Sequence, residues 1–335
     1  MDKKDKRILT ELLINSRVPI NILAKKVGVS REVATYRFNK LMKDKTILWL
    51  YPIIDTEALE FQRFGCLFQL KNISHEKEKE FLNYLVEHDF VTWLSPNVGR
   101  WNVAFDILAK DKNHLQEIVK EITSYISDYL ESYLVIPISI EIEAFQTKLL
   151  GVNKEINYNK PKEKIKIDNI DLKILELMST NSRVEYKEIS KKIKITPNAI
   201  KYRIKKLENS GIIKGYTASI DFRKLGYEIY DIEIKTNISK KENLLKQFLR
   251  QHKKVLFFYK HLGHENWDLD IGVLVENSLG LRGFILQLRE KFGDILKIHD
   301  MYVILEELKG NYAPKGIFKI RKDNLNDGYN NLNKD

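Results

Sequence analysis

The sequence predicts an α+β protein made of two winged helix-turn-helix domains and two ferredoxin-like βαββαβ domains, arranged as an intrachain pseudo-dimer. Three observations lead to this prediction. The chain repeats itself at a constant offset, each copy opens with three short amphipathic helices and a β-ribbon, and each copy continues with strands and helices in the order βαββαβ. The 335 residues, of which 43% are hydrophobic, allow several packed cores.

The repeat is visible in matched groups of residues. The segment Asn15-Ser16-Arg17-Val18 returns as Asn181-Ser182-Arg183-Val184, and Tyr36-Arg37 returns as Tyr202-Arg203. A fixed long offset indicates a duplicated domain and excludes a short-period solenoid. Two similar units in one chain can take the place of the two subunits of a symmetric dimer.

Residues 1–55 and 167–221 are predicted as the two helix-turn-helix domains. In copy one, Pro19 opens a second helix and Gly28 ends it, because glycine leaves a helix through the left-handed conformation without strain. Ser30 is the expected N-cap of the third helix.

Copy two repeats this order, with Thr196 as the cap and Pro197 in the first turn. A strand-like segment follows the third helix in each copy, at Ile47–Ile54 and at Ile212–Ile220. A helix, a tight turn and a second helix of this size form a helix-turn-helix, and the following ribbon makes it a winged version.

Residues 56–148 and 222–310 are predicted as the ferredoxin-like domains. Each begins with an apolar strand, continues with an amphipathic helix and a hairpin, and ends with a second helix and an alternating strand. Residues 149–166 are polar and lack periodicity, so we predict a linker there. Residues 311–335 turn to Lys, Asn and Asp, which predicts a flexible tail.

Positive charge collects in the helix-turn-helix domain of each copy. Residues 1–52 carry a net charge of +7 and residues 165–216 carry +6, whereas residues 56–147 carry −7. A polyanionic partner would bind such domains with release of counterions. Two solvated helical faces would produce the same charge pattern, and charge alone does not choose between these interpretations.

Several classes of protein are excluded by what the sequence lacks. No apolar run reaches the length of a membrane span, and the amino terminus lacks the apolar stretch of a signal peptide, so we expect a cytoplasmic protein. Cys66 is the single cysteine, so no internal disulfide or thiolate metal cluster is expected. Phosphate-loop, nucleophile-elbow and dinucleotide motifs are absent, so we expect neither an enzyme nor a bound cofactor.

A signature of spaced residues occurs in both copies: an Asp, an Ile-Leu three residues on, an Asn-Ser-Arg, a Ser/Thr cap and an Arg-apolar-x-x-Leu. The residues are Asp5, Ile8-Leu9, Asn15-Ser16-Arg17, Ser30 and Arg37-Phe38-Asn39-Lys40-Leu41, then Asp171, Ile174-Leu175, Asn181-Ser182-Arg183, Thr196 and Arg203-Ile204-Lys205-Lys206-Leu207. Followed by βαββαβ, each copy resembles a full member of the Lrp/AsnC family, the feast/famine transcription regulators. Copy two also resembles the family's wing at Gly211–Tyr216, whereas copy one departs from it at Asp44–Trp49.

The resemblance implies a sequence-specific transcription regulator that binds double-stranded DNA. It also implies that the βαββαβ domains dimerise and sense a small-molecule effector such as an amino acid. The family's sheet hairpin carries Gly, a short spacer and Asp, and neither copy matches this pattern cleanly. The residues at the corresponding hairpins, expected to bind the effector, are Gly99, Arg100, Trp101, Asn102, Gly263, Trp267 and Asp268. Both intrachain pairing alone and a higher oligomer are compatible with the sequence.

A recognition helix enters the major groove with its exposed side chains. The exposed side chains are those that remain after the apolar positions of the helix are assigned to its buried face. With the caps and flanking cations, the predicted DNA-binding residues are Ser30, Arg31, Glu32, Thr35, Tyr36, Arg37, Asn39, Lys40, Thr196, Pro197, Asn198, Lys201, Tyr202, Arg203 and Lys205.

Different roles are expected within this set. Arg31 suits guanine, Asn198 suits adenine, and the lysines suit phosphates. Arg37 and Arg203 either clamp phosphate or pair with a nearby carboxylate. Because the two helices differ at most exposed positions, an asymmetric operator is predicted.

Other candidate sites lie in the copy-two hairpin. His261 and His264 are close to a turn. We expect their side chains to be solvated and not to bind a metal ion. Asp268 and Asp270 alternate on a strand and share one face, and we expect both to be solvated.

Siroheme decarboxylases resemble the same paired architecture, and His264-Glu265-Asn266-Trp267 is similar to their hairpin, so a tetrapyrrole enzyme is the alternative hypothesis. A protein–protein adaptor is the third.

Overall fold

The computed structural model describes residues 1–138, 143–144, 166–236, 241–260, 267–311 and 313–321. The elements of copy one are α1 Lys3–Ile14, α2 Ile20–Val27, α3 Arg31–Lys43, β1 Ile47–Ile54, β2 Gln62–Leu70, α4 His75–Glu87, β3 Val91–Val98, β4 Val103–Ala109, α5 Lys112–Tyr125, β5 Leu130–Pro137 and β6 Glu143–Ala144. Those of copy two are α6 Asn169–Ser179, α7 Tyr186–Ile193, α8 Pro197–Asn209, β7 Ile213–Ile220, β8 Glu228–Thr236, α9 Glu242–Gln251, β9 Val255–Lys260, β10 Leu269–Val275, α10 Ser278–Phe292, β11 Leu296–Ile304 and β12 Lys309–Gly310. His261, Gly263 and His264, and most of the predicted linker, lie outside the described residues.

Local capping sets the helix boundaries. The Ser30 and Thr196 hydroxyls each accept a hydrogen bond from the backbone N–H three residues on, as predicted for N-caps. Gly28 ends α2 in the left-handed conformation, with φ of 73°. The matched residue of copy two is Lys194, which adopts the same conformation at φ 62°. The position therefore needs this backbone geometry but does not require glycine.

The ribbon after each third helix is shared between the copies. Strand β1 pairs with β7 in antiparallel register, so each helix-turn-helix domain contributes one strand. Tyr51 pairs with Thr217, its own counterpart in the repeat. A pseudo-two-fold axis therefore passes through this pair, because an antiparallel ribbon of matched strands is symmetric about its centre.

The sheets of the two βαββαβ domains join through their edge strands into one ten-stranded array. Its order is β5-β2-β4-β3-β11-β8-β10-β9-β6, and β12 pairs with β3. The copies join where Val98 of β3 pairs with Val303 of β11. Short strands β6 and β12 each cross to the other copy, β6 to β9 and β12 to β3. This exchange confirms the predicted intrachain pairing of the sheets.

Each helix-turn-helix domain is here called a head. The hydrophobic core of each head also extends onto the other copy. The first head packs its buried residues with Leu256 and Leu274 of copy two, and the second head packs with Phe61 and Leu108 of copy one. Each head is therefore held against the sheet of its partner copy by apolar burial. No helix in the described ranges is both long and apolar enough to cross a bilayer.

The predicted flexible tail is wrong at its beginning. Residues 315–321 are helical, and Ile317 and Phe318 are fully buried in the core of the second head. Burial of two large apolar side chains stabilises this segment by about 3 to 6 kcal/mol, which offsets part of the cost of ordering a short helix. The remaining predicted tail, residues 322–335, lies outside the described residues.

Candidate nucleic-acid interface

The third helix of each head keeps one face in solvent. On α3, Arg31, Glu32, Tyr36, Asn39 and Lys40 are exposed, and Thr35 is half-buried. On α8, the exposed residues are Pro197, Asn198, Lys201, Tyr202, Lys205 and Lys206. The opposite faces carry the buried Ala34 and Leu41 on α3 and the buried Ile200, Ile204 and Leu207 on α8. The predicted groove-facing residues are therefore accessible to a large partner.

Matched positions show what the two faces share. Tyr36 and Tyr202 are 69% and 72% exposed, an unusual exposure for an aromatic ring. Lys40 and Lys206 are also matched and exposed. These residues form a common element of the two faces.

The remaining exposed positions differ between the heads. Thr35 and Asn39 of α3 are replaced by Lys201 and Lys205 of α8. Glu32 of α3 is replaced by Asn198 of α8. The pKa of Glu32 lies below its usual value because the Glu32 carboxylate accepts a hydrogen bond from the Glu32 backbone N–H and a second one from the Ser30 side chain. The exposed face of α8 consequently carries more positive charge than that of α3.

Arg37 and Arg203 do not belong to the exposed set. Arg37 donates to Asp2 at 2.6 Å and to Asp5 at 2.7 Å. Arg203 repeats this with Asp168 at 2.7 Å and Asp171 at 2.8 Å. The structure thus favours carboxylate pairing, the second of the two alternatives, because each guanidinium ties the third helix to the start of the first. Each side chain stays 26% exposed, and contact of either arginine with DNA stays a prediction.

The Asn-Ser-Arg segments of the two copies meet between the heads. The Ser16 and Ser182 hydroxyls share a buried hydrogen bond of 2.7 Å across a sequence separation of 166 residues. Arg17 donates to the Ser182 carbonyl, and Arg183 donates to the Ser16 and Val18 carbonyls at 2.7 Å each. The contacts are reciprocal, so the pseudo-two-fold axis of the ribbon also relates the two recognition helices. The sequence marked these residues as a repeat without indicating that they touch.

The predicted effector residues of copy one serve the sheet itself. The Asn102 side chain accepts a hydrogen bond from the Leu70 backbone N–H at 2.6 Å. A Cβ atom at Gly99 would lie 2.7 Å from the Tyr302 Cβ, so glycine there permits close packing of the hairpin on β11. Arg100 lies over the Trp101 ring, with 4.8 Å between its Cζ and the ring centroid.

The described effector residues of copy two behave in the same way. Asp268, the counterpart of Asn102, accepts hydrogen bonds from the Thr236 backbone N–H and hydroxyl, both at 2.9 Å. Trp267 is fully buried and stacks on His299. Since these side chains are engaged within the sheets, effector binding by the hairpin residues stays a prediction.

Trp101 joins the two sheets through a buried polar contact. Its indole Nε1 donates to Glu233 at 2.9 Å, and Glu233 is fully buried. Burial, together with the neighbouring carboxylate of Asp270, raises the pKa of Glu233 to about 8. Glu233 therefore binds its proton more tightly in the folded chain than in the unfolded chain.

Replacement of Glu233 by Gln is expected to make the protein more stable at alkaline pH. Because the pKa rises on folding, the wild-type free energy of unfolding should fall as pH rises between about 4.5 and about 8. Glu233→Gln keeps the acceptor for Trp101 and removes the ionisation, so we expect a gain of about 1–3 kcal/mol at about pH 8 and little change at about pH 5. Urea unfolding of E233Q, with the exposed Glu290→Gln as the control, measures this. Identical pH dependence in the two variants would contradict the assignment.

Asp270 is not solvated, contrary to the sequence expectation. It is 2% exposed and lines a cavity between the face of β2, β3 and β4 and the face of β8, β9 and β10, here called the inter-sheet cavity. The alternation rule placed the residue on the correct face. It gave no indication that another sheet covers that face. Of the predicted effector residues that the structure describes, none lines this cavity.

Comparison with known proteins gives matches at both heads. Residues 1–42 match the AsnC-type helix-turn-helix domain, and residues 167–214 match a winged helix-turn-helix DNA-binding domain. The HTH-type transcriptional regulator LrpB of Bacillus subtilis is 30% identical over 149 residues, covering 44% of this chain and 95% of LrpB. A 46% identical match of 65 residues to an HTH-type transcriptional regulator of Pyrococcus furiosus covers 19% of this chain and 44% of that protein.

A solved structure matches the whole arrangement. The siroheme decarboxylase NirDL, in complex with an iron-uroporphyrin III analogue, aligns with a TM-score of 0.62 over 97% of this chain and 99% of NirDL. The sequence identity is 14%, so this likeness concerns the fold alone. The paired two-unit architecture is therefore known from another protein.

Proposed function

Because the chain belongs to the Lrp/AsnC family of DNA-binding transcription regulators, we propose that its two heads bind one stretch of duplex DNA together and regulate transcription from it. The observation that supports joint binding is the reciprocal contact of the heads around the β1–β7 ribbon, which leaves α3 and α8 exposed. Two recognition helices related by a two-fold axis suit two half-sites on one duplex. We further propose that the protein acts in the cytoplasm.

The two half-sites are proposed to be unequal. Head one offers Arg31, Thr35 and Asn39 where head two offers Pro197, Lys201 and Lys205. Side chains of such different hydrogen-bonding capacity read different base edges. The operator should consist of two related half-sites about one helical turn apart, or a multiple of it.

Selection of bound sequences from a random duplex pool tests this proposal, followed by a salt titration on the selected site. We expect a pseudo-palindrome with dissimilar halves, and affinity that falls with salt at a log–log slope of about −4 or steeper, since the two faces together expose Arg31, Lys40, Lys201, Lys205 and Lys206. A perfect palindrome would contradict unequal half-sites. A flat salt response would contradict duplex binding as the main activity.

A siroheme decarboxylase-like enzyme is the second candidate, because NirDL has the same paired two-unit fold. Its test is the addition of siroheme to the purified chain, with a specific absorbance shift as the expected sign of binding. The chemistry of the inter-sheet cavity opposes this candidate. Six carboxylates and two arginines line it, and an anionic tetrapyrrole calls for the reverse balance.

A further inference from the structure

The inter-sheet cavity lies at the centre of the molecule and is bounded by both copies. It has a volume of about 180 Å³. Its walls come from both sheets and from the end of the β1–β7 ribbon, where Leu48 and residues 219–222 line it. An apolar cavity of about 150 Å³ accommodates benzene, so a ligand of a few heavy atoms has sufficient room here.

Carboxylates outnumber cations around this cavity. The lining cations Arg63 and Arg223 are each paired, Arg63 with Asp106 and Arg223 with Asp221 at 2.9 Å. The other lining carboxylates are Asp231, Asp270, Glu306 and Glu307. Glu306 lies 3.7 Å from Arg223 and is half-exposed, whereas Asp231 and Asp270 are each 2% exposed. The cavity thus has an excess of buried acid.

Asp231 has an oxygen directed at no protein donor. Its Oδ2 accepts a hydrogen bond from the Tyr302 hydroxyl at 3.1 Å, whereas its Oδ1 is shielded from solvent and has no hydrogen-bond partner. Burial raises the pKa of Asp231 well above its usual value, and the carboxylates of Asp270 and Glu233 raise it further. A buried acceptor of this kind costs stability unless a donor arrives from elsewhere.

The duplication provides an internal control for the role of these acids. At the constant offset that relates the copies, Asp231 corresponds to Gly65 and Asp270 to Ala104. Strands β2 and β4 form the same sheet with these small residues. The fold therefore does not require the carboxylates of copy two. The small residues of copy one, which line the same cavity, leave the space opposite them open.

A divalent metal ion does not suit this site. No group of three or more His, Cys, Asp or Glu side chains in the described residues has an arrangement that could hold a metal ion. Aromatic side chains contribute to the walls instead, among them Trp93, Phe257 and Tyr259. Buried carboxylates beside aromatic faces recognise organic ammonium groups through charge-assisted hydrogen bonds and cation–π contact.

We propose that the inter-sheet cavity binds a small organic ammonium ion, with one ammonium group directed at the carboxylate of Asp231. The site differs from the hairpin residues and supplies an effector site that connects both sheets to the heads. The connection is direct, because Ser219 of the ribbon donates to the lining Glu307 at 2.8 Å. Binding of the ion does not depend on the proposed DNA function, although its regulatory use does.

Isothermal titration of the full chain with 1,4-diaminobutane tests the proposal in the absence of DNA. We expect saturable one-to-one binding, a rise in the unfolding temperature, and no response to the uncharged analogue 1,4-butanediol or to Mg²⁺. Asp231→Asn keeps the shape of the side chain and should lower the affinity at least about tenfold, because it removes one charge-assisted hydrogen bond. The control Glu290→Gln removes an exposed carboxylate of α10 and should bind like wild type.

A second variant keeps the test decisive if Asp231→Asn fails to fold. Ala104→Leu extends a buried side chain from the opposite sheet into the cavity and should also abolish binding. Absence of diamine binding by the wild-type chain would overturn the proposal, and so would equal affinity in wild type, D231N and A104L. Since DNA is absent from this experiment, its failure leaves the proposed function of the heads unaffected.

Discussion

Replacing Lys201 and Lys205 by alanine is expected to weaken binding to duplex DNA by about 10- to 100-fold at near-physiological salt. Both lysines are exposed on α8, one helical turn apart, at positions where head one carries Thr35 and Asn39. If each neutralises one phosphate, their loss should make the log–log salt slope shallower by about two. Fluorescence anisotropy with the selected operator, repeated at several salt concentrations, measures both quantities.

The matched control removes the same charge from two helices of the first ferredoxin-like domain. Lys79 on α4 and Lys120 on α5 are exposed, and their joint replacement by alanine should leave affinity and slope close to wild type. A reciprocal variant adds Thr35→Lys and Asn39→Lys to head one and should steepen the slope. Equal losses in the α8 variant and the control would show that overall charge, and not the α8 face, governs binding.

Short-range features of this fold could be predicted from the sequence because nearby residues decide them. Ser30 and Thr196 cap their helices through backbone groups three residues away, and Gly28 adopts the left-handed conformation at its helix end. The βαββαβ order followed from periodicity, which is equally local. The paired sheets followed from the repeat itself, since duplicated units tend to reproduce a two-fold dimer.

Features that depend on distant partners could not be predicted in this way. Asp270 was expected in solvent because its strand alternates, yet the sheet of the other copy covers its face. Asn102 and Asp268 lie in the hairpins that correspond to the family's effector hairpin, a pattern that neither copy matches cleanly, and each bonds the backbone of a neighbouring strand. The polar composition after residue 311 predicted a flexible tail, whereas Phe318 packs in the hydrophobic core of the second head.

The choice between phosphate contact and carboxylate pairing for Arg37 and Arg203 also depends on residues distant in sequence. Both side chains flank an apolar stripe, a location compatible with phosphate contact or with an intramolecular pair. The acids that engage them lie more than 30 residues earlier in the chain, at Asp5 and Asp171. Because the same pair occurs in both copies, we infer that it holds the third helix on the first, and we expect the proposed DNA contact mainly from the residues that remain exposed.

Joint replacement of Arg17 and Arg183 by alanine is expected to lower the free energy of unfolding of the paired heads by about 3–6 kcal/mol, since charged donors to carbonyl groups contribute about 1.5–3 kcal/mol each. Arg17 donates to the Ser182 carbonyl and also lies over the Tyr186 ring at 5.0 Å. Arg183 donates to the Ser16 and Val18 carbonyls and lies over the Phe38 ring at 5.1 Å. Their removal leaves part-buried carbonyl groups without donors on both sides of the pseudo-two-fold axis.

The functional consequence should depend on the number of half-sites in the DNA. With the heads less firmly oriented, the second head loses effective concentration, so affinity for a two-half-site duplex should fall about tenfold or more. Affinity for a duplex with one half-site should change by less than about twofold, because neither arginine lies on the exposed face of α3 or α8. The control replaces Arg282 and Arg289, two exposed arginines of α10, and matches the loss of charge. Equal losses on both duplexes would mean that the contact supports each head individually, and that the two heads do not act as one unit on DNA.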